Sequence, residues 1–440
     1  MRLLVLALGV VMLSAIGVVP RAAAAPPPVH VLTVNGMIEP AVAQYIVRGI
    51  ARAEEEGAGA VVIRLDTPGG LYEPMRQIVQ AMLNTSVPVI VYVSPNGARA
   101  ASAGAFITLA ANVAAMAPAT NIGSAHPVLA GPLPTSEGES KGSESTMMKK
   151  VVNDSAEYIK TIADKRGRNA KWAERAVRQS DNISAAEAAR IHVIDFVVED
   201  MPDLLAKADG MRVRTASGVV TLATKGARLE YLPMTWYKMV LHYLADPLIA
   251  FFLMLVAIYG IIFEINTPGA TLPGVIGGIA IILLLYSFSV LPVSASGLLL
   301  ILLAIGLFIV DIKVPSHGVL TSGGVIAFFL GSFMVFGSGE PSMRVPIAVL
   351  AAGTLATAGF FAFLVGMAVR ALKRPIVTGR EAVIGKVVVA RSDIAPTGKI
   401  FALGAWWTAE TDQEPIKKGE RVRIVGIDGL TVKVVKEDSH

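Results

Sequence analysis

The 440-residue chain contains no cysteine. This absence excludes disulfide bonds, a thiol nucleophile and every metal site that needs a thiolate ligand. Histidine is sparse as well: the six histidines are scattered, and none shows the His-Glu-x-x-His spacing of a zinc protease. We therefore expect neither a catalytic metal ion nor another cofactor.

Charge is scarce too. Charged residues make up 17% of the chain and hydrophobic residues 53%, whereas soluble domains carry about 25% charged residues. A membrane protein is therefore the first expectation. The net charge of +5 is small for this length and gives no reason to expect a polyanionic partner. Basic residues at the borders of membrane spans account for it equally well.

The first 25 residues predict a secretory signal peptide. Arg2 precedes an apolar run over 3–19, and an alanine-rich stretch over 22–25 is typical of a cleavage site. An uncleaved anchor helix is the alternative. In both cases the domain that follows is exported.

Residues 26–205 predict an α/β domain. Continuous apolar, β-branched runs at Ala60–Leu65 and Val87–Val93 are typical of buried strands, and amphipathic helical stretches lie between the runs. Strands that alternate with helices pair in parallel. Within the domain, the stretch 129–145 is rich in Gly, Pro and Ser and predicts a mobile loop.

Residues 246–372 predict a transmembrane region of about five helices. The stretch 265–310 carries no charge and is long enough for two spans. Glu264 and Asp311 each follow an apolar run and precede a proline-containing turn, which predicts a repeated helical hairpin.

The remaining segments predict small β structures. Residues 206–245 form an appendage with two short strands, and residues 373–440 contain five short strands of a barrel of the OB type. Trp406 and Trp407 are adjacent on a strand, so they point to opposite faces and one belongs to the core. Because positive and negative charges are mixed here, we expect this barrel to bind a protein partner rather than nucleic acid.

The stretch Ala98–Ala111 contains the candidate nucleophile. Ser102 lies among alanine and glycine residues, between a predicted strand and a predicted helix. A helix N-terminus stabilises a developing alkoxide, and small neighbours let another backbone approach closely. A plain helix-packing face explains the same residues equally well.

A second motif favours the catalytic interpretation. The strand Ala60–Leu65 ends in Asp-Thr-Pro-Gly-Gly-Leu, and the glycines at 69 and 70 expose backbone N–H groups, as an oxyanion hole requires. A third stretch, 117–127, supplies the next strand and turn. The three motifs together resemble the ClpP/crotonase superfamily of serine peptidases. With the layout of the whole chain, they resemble more closely the long-form NfeD proteins, membrane-bound serine proteases encoded beside stomatins.

The resemblance implies a catalytic dyad of Ser102 and Lys150. A lysine acts as a general base only where burial lowers its pKa. Because Lys149 is adjacent, the register is uncertain by one residue. The resemblance also implies an oxyanion hole formed by the N–H groups of Gly70 and Ala103.

A triad of the ClpP type is the alternative. It combines Ser102 with His126 as the base and Asp181 as the acid, in positions close to those of that family.

The resemblance implies a membrane-anchored serine endopeptidase that cleaves apolar segments of stomatin-like proteins. An inactive scaffold that acts through the C-terminal barrel is the second hypothesis. An acyl-CoA enzyme of the crotonase type is disfavoured, because CoA chemistry is cytosolic and the predicted signal peptide exports the domain. The expected partners are a protein substrate with a hydrophobic segment, a stomatin-like membrane protein, the membrane, and at least one further copy of the chain.

The predicted topology places the two soluble parts on opposite sides of the membrane. The signal peptide puts the protease domain outside the cytoplasm, and five spans are an odd number. Arg370, Lys373 and Arg374 follow the last span and fit the positive-inside rule, so the C-terminal barrel is expected in the cytoplasm.

Overall fold

The structure is a computed structural model that describes residues 26–127, 141–266, 269, 271–291, 293–314, 316, 318–337, 344–372 and 382–437. The predicted signal peptide and most of the predicted mobile loop lie outside these residues, as do Lys373 and Arg374. The chain divides into two units, the first formed by 1–309 and 317–358 and the second by 310–316 and 359–440.

A six-stranded parallel sheet forms the centre of the first unit. Its strands are β1 (Val29–Asn35), β2 (Ala60–Asp66), β3 (Val89–Val93), β5 (Val113–Met116), β8 (Phe196–Val197) and β11 (Leu229–Tyr231). They lie in the order β11-β1-β2-β3-β5-β8, and every pairing is parallel. Parallel sheets are covered on both faces, which explains why the strands are near-continuous Val, Ile and Leu runs. The predicted α/β class is confirmed.

Helices and short strands complete this domain. The helices are α1 (Pro40–Glu55), α2 (Tyr72–Asn84), α3 (Ala103–Ala110), α4 (Lys141–Lys165), α5 (Ala170–Arg178), α6 (Ala185–Arg190) and α7 (Met201–Ala208). A small sheet joins β4 (Arg99–Ala101), β6 (Asn121–Gly123) and β7 (Asn182–Ser184). Helix α4 begins at Lys141, so the last five residues of the predicted loop are helical.

The segment predicted as an appendage contains the two expected strands, β9 (Arg212–Thr215) and β10 (Gly218–Thr221), which pair antiparallel. Its next strand, β11, returns to the main sheet and pairs with β1. The sequence did not predict this return, because a three-residue strand carries almost no periodic signal. Helix α8 (Trp236–Leu244) then leads to the membrane helices.

Five apolar helices follow: α9 (Pro247–Asn266), α10 (Thr271–Val290), α11 (Ala295–Lys313), α12 (Val319–Phe336) and α13 (Ile347–Leu372). Among the described residues, three helices are long and apolar enough to cross a membrane, at Pro247–Ile265, Thr271–Val290 and Val319–Phe336. The apolar parts of α11 and α13 are shorter. Helices α9 and α10 pack through glycines, since a Cβ on Gly260 would lie 2.8 Å from the Cα of Gly277. The chain is a membrane protein.

The second unit contains a five-stranded sheet curled into a half-barrel. Its strands are β12 (Val387–Val389), β13 (Thr397–Ala402), β14 (Ala405–Glu410), β15 (Arg421–Asp428) and β16 (Thr431–Lys436), in the order β12-β15-β16-β14-β13. A bridge between Ala390 and Ile400 connects the two ends of the sheet. Trp407 packs against the core and donates Nε1–H to the carbonyl of Ala402 at 3.2 Å, whereas Trp406 is 64% exposed. The predicted small barrel and its single core tryptophan are confirmed.

Candidate active site

Ser102 lies at a junction between a strand and a helix, as predicted, but the strand directly before it is the short β4 and not the predicted strand Val87–Val93. The backbone of Ser102 has φ 50° and ψ −113°, a left-handed conformation that is costly for a residue with a Cβ. The hydrogen bond from Ser102 N–H to the carbonyl of Gly123 (2.9 Å) holds this turn against β6. The side chain is half-buried, and its hydroxyl makes no hydrogen bond to any described residue.

The glycine loop after β2 lies directly against this serine. A Cβ on Gly69 would lie only 2.7 Å from the Cβ of Ser102, and Gly69 has φ +129°. Thr67 fixes the loop, because its hydroxyl accepts from Gly69 N–H (3.0 Å) and donates to Gly69 C=O (2.9 Å). A Cβ on Gly70 would lie 2.1 Å from the carbonyl oxygen of Ile38. Both positions therefore require glycine.

Two backbone donors remain near the serine. The N–H of Gly69 is used by Thr67, and the N–H of Leu71 donates to the carbonyl of Ile38 at 2.8 Å. The N–H groups of Gly70 and Ala103 donate to none of the described residues. Ala103 is also the first residue of α3, where N–H groups lack partners within the helix.

Lys150 lies in the first half of α4. Its side chain is exposed, as is that of Lys149, and neither amine makes a hydrogen bond or an ion pair with a described residue. The structure therefore places Lys150 on a helix of this domain, but its amine forms no hydrogen bond with the hydroxyl of Ser102.

Two contacts fix the helix that carries Lys150 to the rest of the site. The hydroxyl of Tyr72, two residues after Gly70, donates to Asp154 Oδ2 at 2.8 Å. Asp154 lies four residues after Lys150, so the two share a face of α4. Further along, the ring of Tyr158 stacks on Phe106 of α3, with 6.0 Å between ring centroids.

Arg76 joins this group of side chains. Its guanidinium lies 4.9 Å from the centroid of the Tyr158 ring and 5.7 Å from that of Tyr72. Burial raises the pKa of Tyr158, which therefore remains a neutral phenol at physiological pH. Sequence analysis missed Tyr72, Arg76, Asp154 and Tyr158. The available signal was the helical spacing of Asp154 and Tyr158 from Lys150.

His126 and Asp181 lie near one another in the chain fold but do not interact through their side chains. His126 Nδ1 contacts the carbonyl oxygen of Val177 at 2.8 Å, so that nitrogen carries the proton and donates it to the backbone. The carboxylate of Asp181 pairs with Arg175 at 3.2 Å. Its carbonyl accepts from Ser124 N–H at 2.9 Å, beside Gly123, whose carbonyl in turn holds Ser102.

Comparison with known proteins gives three consecutive family matches along the chain. Residues 28–215 match the N-terminal domain of NfeD1b, 248–367 the NfeD integral membrane domain, and 380–436 the NfeD-like C-terminal, partner-binding domain. These ranges follow the predicted order of protease domain, membrane region and barrel.

Individual proteins are also similar. The membrane-bound protease PH1510 of Pyrococcus horikoshii is 35% identical over 420 residues, which cover 93% of each chain. A solved structure of a lysine-to-alanine mutant of the 1510-N membrane-bound stomatin-specific protease, in complex with a substrate peptide, is 34% identical; the match covers 50% of this chain and 98% of that one, with a TM-score of 0.45. A serine-to-alanine mutant of that protease is 36% identical, with 48% and 100% covered and a TM-score of 0.43. The chain therefore belongs to the NfeD family and is a membrane-bound protease.

Proposed function

We propose that this chain is a serine endopeptidase in which Ser102 is the nucleophile and Lys150 the general base. The observation that carries the proposal is the strained backbone of Ser102, held at the start of α3 against the glycine loop. The N–H groups of Gly70 in that loop and of Ala103 in α3 have no acceptor among the described residues. Strain of this kind is characteristic of functional sites, since folding alone does not favour it.

The proposed reaction consists of acylation and deacylation of Ser102, with Lys150 transferring the proton in both steps. Ser102 Oγ attacks the scissile carbonyl carbon while its proton passes to the neutral amine of Lys150. The N–H groups of Gly70 and Ala103 stabilise the resulting oxyanion. Collapse of the tetrahedral intermediate breaks the peptide C–N bond, and the leaving amine takes the proton from Lys150. Water then attacks the acyl-enzyme and gives a proton to Lys150. As the ester bond to Ser102 breaks, Ser102 Oγ takes that proton back, which releases the carboxylic acid product and regenerates both residues.

This role requires a change around Lys150, because its side chain is exposed to solvent and a lysine acts as a general base only when it is buried. A substrate segment that covers the start of α4 would remove water from the amine and favour its neutral form. The contacts of Asp154 with Tyr72 and of Tyr158 with Phe106 support the proposal, since they hold this helix beside the glycine loop and α3.

The contacts of His126 favour the lysine over the histidine. In a triad, a carboxylate accepts the Nδ1 proton of the histidine and stabilises the imidazolium. Here a neutral carbonyl, that of Val177, takes that place, while the carboxylate of Asp181 forms an ion pair with Arg175.

The substrate and partner are part of the proposal. We propose that the protease cleaves hydrophobic segments of stomatin-like membrane proteins, which the name of the similar solved protease supports, and that it acts as an oligomer of at least two copies. The protease domain lies outside the cytoplasm and the C-terminal half-barrel inside it. The odd number of predicted spans and the basic residues after the last one support this topology.

The half-barrel provides a surface for a partner. Phe401, Leu403 and Trp406, at and beside the turn between β13 and β14, are 41%, 59% and 64% exposed. The rings of Phe401 and Trp406 pack against each other with 5.4 Å between centroids. Exposed aromatic groups of this kind are enriched at protein interfaces, and the matching family domain is described as partner-binding.

A set of single variants tests the dyad. Peptidase activity on a peptide with an apolar stretch, together with labelling by a fluorophosphonate, should fall to background in Ser102→Ala. Lys150→Ala should lose activity to the same extent, whereas Lys149→Ala, at the neighbouring lysine, which is also exposed, should keep most of it. His126→Ala and Asp181→Asn should also remain active.

The same set can reject the proposal. An inactive His126→Ala together with a nearly normal Lys150→Ala would replace the dyad by the triad. An inactive Lys149→Ala with an active Lys150→Ala would move the base by one residue. Absence of labelling in the wild type would favour the inactive scaffold.

A further inference from the structure

A second group of ligating side chains lies at the edge of the main sheet, away from Ser102. His30 is near the start of β1, Glu230 lies in β11, and Glu56 follows the last residue of α1. His30 and Glu230 are direct partners in the parallel register of the two strands, so their side chains share one face. These residues lie at the amino ends of the strands, whereas the loops around Ser102 follow the carboxyl ends.

The imidazole of His30 is fully buried, and neither of its ring nitrogens makes a hydrogen bond with a described residue. Nε2 lies 3.2 Å from Glu56 Oε2 and 3.8 Å from Glu230 Oε2. A buried polar group without a hydrogen-bond partner is costly and needs an explanation.

Arg52 organises the two carboxylates from outside. Its guanidinium lies 2.8 Å from Glu56 Oε1 and 3.8 Å from Glu230 Oε1. Each glutamate therefore directs one oxygen to Arg52 and the other to His30. Groups that hold a ligating carboxylate by its second oxygen are usual around metal ions.

We propose that His30, Glu56 and Glu230 form a structural site for a divalent metal ion of the zinc class. Their ligand atoms all lie within 4.8 Å of one another. Zinc bonds of about 2.0–2.2 Å in a tetrahedral arrangement separate two ligand atoms by roughly 3.3–3.5 Å, close to the distances from Nε2. One imidazole and two carboxylates suit zinc better than magnesium, which prefers oxygen ligands alone. Water completes the fourth position.

The ion has a defined structural effect. Strand β11 is only three residues long, and it precedes α8 and the first membrane helix. A metal ion shared by β1, β11 and the end of α1 fastens the membrane-proximal connection to the protease domain. The scattered positions of the three ligands explain why their spacing in the sequence gave no metal motif. Direct contact of His30 with the two carboxylates, without a metal ion, is the competing explanation.

The test uses the full-length protein in detergent, stripped of metal with a chelator and titrated with Zn²⁺ in competition with a chromogenic dye. Wild type should bind one Zn²⁺ per chain, and Zn²⁺ should raise the midpoint of thermal unfolding. Glu230→Gln and Glu56→Gln should weaken binding at least ~10-fold and remove the thermal shift. His192→Gln, at an exposed histidine outside the cluster, is the matched control and should bind as wild type does.

His30→Gln should also lose binding, and the two glutamate variants keep the test valid if this buried substitution prevents folding. The proposal is wrong if wild type binds no Zn²⁺, which would favour direct contact of His30 with the carboxylates. It is equally wrong if both glutamate variants bind as tightly as wild type, since the metal would then lie elsewhere.

Discussion

Gly69 packs directly against Ser102, the proposed nucleophile. Any side chain on Gly69 begins with a Cβ 2.7 Å from the Cβ of Ser102 and 3.3 Å from its hydroxyl oxygen. All residues of α3 are buried, so Ser102 cannot move away from this added Cβ unless the packed helix moves too. A displacement of the order of 1 Å at a reacting group is enough to lower a rate about 100-fold.

We therefore predict that Gly69→Ala lowers peptidase activity by at least ~100-fold. The matched control is Gly97→Ala, because Gly97 also has positive φ (+87°) but a Cβ there meets no atom within 4 Å. The control should lose about 1–2 kcal/mol of stability through backbone strain and keep its activity. Activity and thermal unfolding should be measured for both. Equal loss of activity in the two variants would attribute the effect to strain rather than to contact with Ser102.

At this scale, sequence predicted the residue types of the site but not their contacts. The Gly-Gly pair and the small residues around Ser102 have a local cause, which a sequence shows directly. The contact of His126 with Val177 depends on how two separate segments of the chain meet, and the pairing of Asp181 with Arg175 depends on how the chain turns after α5. The sequence also could not predict whether the side chain of Lys150 is exposed, because lysines on an amphipathic helix have the same local pattern whether or not they face the active site.

Helix α8 connects the protease domain to the membrane helices, and a histidine fastens it. His242 Nδ1 lies 3.3 Å from Glu39 Oε1, and Nε2 lies 3.0 Å from the carbonyl oxygen of Asn35. Glu39 is fully buried and caps α1 through the N–H groups of Ala41 and Val42. Both ring nitrogens thus face acceptors, and only the imidazolium donates to both. The hydrogen bond to Glu39, aided by that to Asn35 and opposed by burial, raises the pKa of His242.

This arrangement predicts that docking of α8 depends on pH. A raised pKa means that the stabilisation is fully present below the ordinary histidine value of about 6.5. It is lost as the pH rises through the higher value of the folded protein. Hydrogen exchange in α8 and the first turn of α1, corrected for intrinsic rates, should therefore show less protection at pH 9 than at pH 6. His242→Gln should remove most of this difference; if the variant keeps it in full, another group is responsible.

Elements with a strong periodic signal were predictable, and short ones were not. The runs of β2 and β3 and the amphipathic pattern of α1 determine their own structure through burial. β11 and α8 depend on tertiary partners, namely β1 and Glu39, so their own residues carry little of the information. The sequence predicted about five membrane spans. The described residues contain five apolar helices at these positions, of which three have the length and hydropathy of a membrane span.

In the proposed function, chemistry and recognition belong to different parts of the chain. Ser102 and its loop belong to the first unit, while the exposed aromatic pair of Phe401 and Trp406 belongs to the second. No residue of the half-barrel is needed for the proposed proton transfers. The order of domains was predictable from sequence, because the apolar stretch between two soluble patterns is evident from composition alone.

This separation predicts that the two functions can be lost independently. Trp406→Ala should weaken binding of a stomatin-like partner by at least ~10-fold, since an exposed tryptophan in an interface commonly contributes 2 kcal/mol or more. Its stability should fall by no more than about 1 kcal/mol, the loss of one edge contact with Phe401. Peptidase activity on a short peptide should be unchanged, and Ser102→Ala should show the reverse pattern.

Val425→Ala, at a 49% exposed residue of β15, is the control for a general surface effect. Binding should be measured by co-purification and by titration in detergent. If Trp406→Ala abolishes cleavage of the short peptide, or leaves partner binding intact, recognition does not reside in this surface of the half-barrel.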